Sequence, residues 1–171
     1  MSTEIAFEEN GLFLHIEVTD DKDVRLLHFA PIPFKPESIT HDEHRTWFRL
    51  LELQASGEDQ NDHHGSRHTG TSPANRLRYI RHNDMRNSIG RKLDIEQAIE
   101  GLTVISHFQF YDDISIARVW TEVCNGAKNN LGLEYISSFC LTGLAKETAT
   151  SWDQISRLHV PHNGTCGEMQ W

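Results

Sequence analysis

Cysteine is scarce in this chain: there are three, Cys124, Cys140 and Cys166, an odd count whose spacings match no zinc motif. The expectation is a cytoplasmic protein with reduced thiols. No apolar run is long enough to span a bilayer. The start, Met1-Ser2-Thr3-Glu4, has neither the basic region nor the apolar stretch of a signal peptide. Basic residues are outnumbered, 16 Lys and Arg against 25 Asp and Glu, for a formal net charge of −9. A phosphate backbone needs a basic surface, so a nucleic-acid partner is not expected. Helical periodicity is almost missing as well. What the 171 residues do have is enough length for one domain with a real core, and a composition (37% hydrophobic, 24% charged) that points away from wholesale disorder and from a membrane protein.

The dominant period is two. Leu12, Leu14, Ile16 and Val18 alternate with Phe13, His15 and Glu17. Leu93, Ile95 and Ile99 share a face opposite Lys92, Asp94 and Glu96, and Leu102, Val104, Phe108 and Phe110 one opposite Thr103, His107 and Gln109. The run from Ile116 to Cys124 alternates bulky and small, with Val119, Trp120 and Val123 inside it. Leu131, Leu133, Tyr135 and Phe139 alternate with Gly132, Glu134 and Ser138, and Leu77 to His82 alternates too. Such alternation puts one side of a strand on a core. Asn10-Gly11, Glu100-Gly101, Asp112-Asp113 and Asn125-Gly126 punctuate the strands as turns. Pro31, Pro33 and Pro36 mark an irregular crossing at 31–46, with short helical turns expected at 39–46 and 145–156. Eight to eleven strands without intervening helices predict an all-β sandwich or barrel in a single domain, residues 1–171.

Residues 57–73 form the most polar stretch, a loop of seventeen residues with no large apolar side chain. Asp59, Asp62, His63, His64, Arg67 and His68 lie in it. A loop this long in a compact domain is functional or disordered. Three readings stand together: a divalent metal site, hydrogen-bonding groups for a sugar, or Asp and Asn side chains holding turns. His41-Asp42-Glu43-His44 has metal-ligand residue types, but the HExxH order is missing and no third ligand is fixed by spacing. No carboxylate pair is marked out by its surroundings for glycoside chemistry, and no nucleophile elbow, P-loop or dinucleotide fingerprint is present. Trp47, Trp120 and Trp152 lie in or beside strand-like or amphipathic segments; aromatic faces stack on sugar rings, but a Trp on an alternating strand is core more often than platform, and the ending at Trp171 reads as cut rather than finished.

Six segments, in order, carry a resemblance: 64–71 (HGSRHTGT), 77–82 (LRYIRH), 107–112 (HFQFYD), 118–123 (RVWTEV), 133–139 (LEYISSF) and 161–163 (PHN). The chain resembles, from about residue 5 to its end, the N-terminal domain of the family-36 glycoside hydrolases, the microbial α-galactosidases. The resemblance implies a large twisted antiparallel β-supersandwich preceding a (β/α)₈ catalytic barrel. The two catalytic aspartates belong to that barrel, so it implies no catalytic residue, metal or cofactor here. The intact parent would hydrolyse terminal α-linked galactose with retention. The domain would pack on its own barrel, support a homo-oligomer, and lend the 57–73 loop to a sugar site. Where family members carry a Gly-Asp-Phe-Arg-like stretch, this chain has Asp62-His63-His64-Gly65-Ser66-Arg67, with Asp62 and Arg67 as the counterparts. The rivals are a stand-alone carbohydrate-binding β-sandwich and a metal-dependent β-barrel enzyme using the histidine-rich loop.

Overall fold

Alternating apolar residues become strands wherever two runs can pair across a turn. The computed structural model describes residues 2–36, 48–58 and 70–141, and the backbone of 162–164 and 167–170. Among them are eleven strands and one short helix: β1 (Thr3–Glu9), β2 (Leu12–Val18), β3 (Val24–Ala30), β4 (Leu53–Ala55), α1 (Ser72–Arg76), β5 (Arg78–Asn87), β6 (Gly90–Ile99), β7 (Leu102–Phe110), β8 (Ala117–Asn125), β9 (Leu133–Ile136), β10 (His162–Gly164) and β11 (Gly167–Gln170). The fold is all-β, and every strand pair is antiparallel.

Two meanders form the layers. One sheet runs β1-β2-β3 and the other β5-β6-β7-β8. The turns between β1 and β2 and between β6 and β7 each place two residues at positive φ: Asn10 (50°) and Gly11 (82°), then Glu100 (37°) and Gly101 (86°). This is the backbone of the tight hairpin turn that matches strand twist. At the β5–β6 turn, Asn87 Oδ1 accepts from the amides of Ile89 and Gly90 at 3.0 and 3.1 Å. Gly90 has φ 144°, and a Cβ there would meet the Phe110 carbonyl oxygen at 2.2 Å, so only glycine fits this close approach.

The sheets bury their facing sides together. Ile5, Leu14, Ile16, Val18, Val24 and Leu26 of the first pack against Leu93, Ile95, Phe108 and Phe110 of the second. Phe29 of β3 reaches across edge-on to Phe108 and Phe110, and Phe7 of β1 to Phe110. Each such pair contributes about 0.5–1.5 kcal/mol beyond area burial.

The segment 48–55 extends the first layer. Leu26 N donates to Phe48 O on one side; Cys140 N and Ser137 N donate to Leu50 O and Glu52 O on the other. β4 then pairs with β9, and together with α1 they bury Leu51, Leu53, Ala74 and Leu77 against Leu102 and Val104 of β7. The far end of the four-stranded sheet is thus covered by the residues that flank the polar loop.

Two expectations change and one is left open. The helical turns expected at 39–46 and 145–156 lie outside the described residues. A further helix, α1, begins at the end of the stretch read as loop: Thr71 is its N-cap and Pro73 its early proline. Leu131 and Leu133 do not face a core. They are 41% and 43% exposed, and Ile136 makes the buried contact. The physical reason is that β9 pairs with the three residues of β4, across a register shift between Gln54 and Ala55.

One end of the sandwich is laced by charge. Arg91 pairs bidentately with Asp84 at 2.9 and 2.6 Å and lies 3.6 Å from the Phe7 ring centroid. Glu9 accepts from Arg86 at 3.0 Å. The hydrogen bond from Arg91 holds the Asp84 carboxyl below the usual carboxylate range. A depressed folded-state pKa gives stability that is present above the unfolded value of about 3.9 and is lost as pH falls through the folded value. Tm is therefore expected to fall as pH drops below about 4, and Asp84→Asn to flatten part of that fall. A Tm series on both proteins checks it; identical acid limbs would contradict it.

Candidate functional site

The residues singled out from the sequence, Asp59, Asp62, His63, His64, Arg67 and His68, lie outside the described residues, as do His41 and His44. What is described is the frame on which that stretch is mounted. Its first foot is a turn after β4. Gly57 takes φ 79°, Glu58 N donates to Ala55 O, and Gln54 Nε2 donates to Glu58 O at 3.1 Å. The Glu58 carboxylate then receives both terminal nitrogens of Arg76, from α1, at 3.1 and 2.8 Å. That bidentate pair holds Glu58 below the ordinary carboxylate range and Arg76 above its own.

The second foot is built on a buried carboxylate. Glu52, 2% exposed, accepts from the amides of Gly70 (3.0 Å) and Thr71 (3.4 Å) and from Arg49 Nη1 (3.3 Å). Arg49 Nη2 also donates to Asn75 Oδ1, and Asn75 Nδ2 donates back to Gly70 O at 3.3 Å. The hydrogen bonds therefore close a ring: Gly70, Glu52, Arg49, Asn75, Gly70. Thr71 Oγ1 donates to Leu53 O at 2.5 Å and accepts from Ala74 N, capping α1. Burial pushes the Arg49 guanidinium down, and the Glu52 charge pushes back. Gly70, at φ 72°, takes the bend that lets its amide reach the carboxylate.

The sequence reading missed this ring. Its signal is Arg49-Leu50-Leu51-Glu52-Leu53, two opposite charges three apart inside an apolar run. A charge flanked by leucines is one the chain must bury, and a buried charge needs a partner. Beside the ring lies a cleft of about 20 Å³ lined by Asp23, Arg25, Arg49, Asn75, Leu77 and Gln97. Ordinary ligand pockets are roughly 300–1,000 Å³, so this cleft does not take a sugar ring.

A second cluster lies on the outward side of the four-stranded sheet. Cross-strand register sets Asn83, Asp94, His107 and Trp120 in one row, with Lys92, Gln109 and Arg118 in the row beside it. Trp120 is thus not a core residue, which corrects the sequence reading. It shares its face with Arg118 and Glu122, while Val119 of the same strand turns inward to the core. Its ring stacks on His107 with centroids 4.7 Å apart and planes 19° from parallel. His107, 6% exposed, is held through Nδ1 by Asp94 at 2.6 Å; its Nε2 has no hydrogen-bond partner and lies 3.5 Å from the Glu122 carboxylate. Lys92 and Arg118 put their charges 5.7 and 5.2 Å from the indole centroid.

Among the described residues no group of three or more His, Cys, Asp or Glu could hold a metal ion, and no helix is long and apolar enough to cross a membrane. Cys124 and Cys140 are free thiols, and burial pushes the Cys140 thiol up, away from the reactive thiolate. No protein-family model, curated protein or solved structure matches the chain.

Proposed function

We propose that this chain serves as the non-catalytic N-terminal β-sandwich of an α-galactosidase-like glycoside hydrolase, with the 57–73 loop lent to a sugar site. The observation that carries this reading is the pair of feet. The buried Glu52–Arg49–Asn75 ring is a costly way to mount a stretch with no apolar side chain of its own, and the part-exposed Glu58–Arg76 pair ties down its other foot. Burying a carboxylate and a guanidinium sacrifices hydration on both. That cost is intelligible if the mounted residues must hold a fixed geometry, as hydrogen-bonding groups for a sugar do.

The order of the six family-like segments supports the same reading, as does the two-layer all-β fold. Exposed Ile89, Ile114 and Ile116 sit on two neighbouring turns joined by the Asp112 N to Ile89 O hydrogen bond. They offer an apolar surface on which a catalytic barrel could pack, or through which copies could associate. The domain's part in the reaction would be to position sugar; both reacting carboxylates would come from the barrel. The reading frame of the source gene tests the proposal: it should encode this chain joined to a (β/α)₈ barrel with two carboxylates about 5–5.5 Å apart, the spacing of retaining enzymes. A gene in which no barrel accompanies this chain would sink it.

A further inference from the structure

We infer that the outward face of β6, β7 and β8 carries a carbohydrate-binding site centred on Trp120, separate from the 57–73 loop. A tryptophan on the water side of a sheet gives up the burial that its counterparts in the core enjoy. Here one face of the indole is taken by the His107 ring, which Asp94 fixes in place. The result is a rigid aromatic shelf, half-buried, whose orientation is set before any ligand arrives, so little ordering cost falls on binding.

The surroundings select the ligand. Lys92, Asp94, Arg118 and Glu122 surround the shelf, supplying ammonium and guanidinium donors and carboxylate acceptors. An apolar partner would have to strip water from all of these charges without replacing it. An anionic polymer would meet Asp94 and Glu122 on a chain of net charge −9. A cationic ligand would be repelled by Lys92 and Arg118, whose charges already lie over the indole. A neutral pyranose ring brings no net charge to oppose either sign at the rim. Its C–H face carries slight positive charge and lies on the negative π-face, and its hydroxyls, each both donor and acceptor, can pair with the charged rim. His107 is the positioning residue and Trp120 the contact residue.

The test is a sugar titration of the ¹⁵N-labelled 171-residue chain, following indole N–H signals by NMR with raffinose, maltopentaose and cellopentaose as probes. The expected result is a saturable shift of the Trp120 indole signal with at least one of the three, and loss of about tenfold in affinity in Trp120→Ala, on the order of 1.4 kcal/mol. Trp120→Phe, which keeps an aromatic face, should retain weakened binding; this covers the case in which the alanine variant does not fold. No movement of the Trp120 signal with any of the three sugars would overturn the inference. So would binding that survives intact in Trp120→Ala, since that places the sugar elsewhere, including on the 57–73 loop. Neither result bears on whether a parent enzyme hydrolyses galactosides, so this inference and the proposed function fail separately.

Discussion

Glu52→Ala is expected to cost about 3–5 kcal/mol of stability, the usual penalty for removing one partner of a buried ion pair. Three groups lose their acceptor together: the Arg49 guanidinium and the amides of Gly70 and Thr71. Burial already works against the Arg49 charge, so the cation cannot be left alone cheaply. Replacing both partners by apolar residues, Arg49→Met with Glu52→Leu, should cost less than Glu52→Ala, because no orphaned charge remains. The amides of Gly70 and Thr71 would still lack an acceptor, so some loss should persist. Urea denaturation of the three proteins measures this as a shift in midpoint at constant slope. A Glu52→Ala midpoint within error of the parent chain would mean that the ring does not hold the loop foot.

The second large effect is expected from Phe108→Ala, at roughly 3–5 kcal/mol. Phe108 is fully buried between the sheets and meets Phe29 edge-on. Neither sheet can collapse far into the vacated volume. Each is a hydrogen-bonded meander, and on the β1-β2-β3 side Leu14, Ile16, Val24 and Leu26 are already close-packed. Thermal unfolding should report a large drop in Tm. A drop near that of a surface substitution would mean that the two sheets do not share this core.

These effects show which parts of the molecule an alternation pattern can and cannot convey. The β6–β7–β8 meander was legible because one side of each strand is apolar against a polar other side, and because Glu100-Gly101 announces its turn. The pairing of Leu93 with Phe108 and of Phe108 with Val119 follows directly. Strand β8 is different, since Val119 and Trp120 are adjacent and both bulky, so period two alone does not decide which of them faces inward. The tie is broken by register: Trp120 lies opposite His107, on the outward side. Likewise Leu131 and Leu133 alternate as a buried strand would, yet β4 gives them only a three-residue partner. Helix α1, at five residues, is too short to show a period, though Thr71 and Pro73 announce its start. The frame beneath the loop joins residues far apart in sequence, such as Arg49 and Asn75, and no local pattern encodes that meeting. Asp62 and Arg67, by contrast, rest on the family resemblance alone.

Turnover of p-nitrophenyl α-galactoside tests the central claim most directly, with the barrel-bearing parent that the proposal requires and this 171-residue chain assayed side by side. The account predicts hydrolysis by the parent and none by the chain alone. Hydrolysis by the isolated chain, or none by a folded parent, would contradict it.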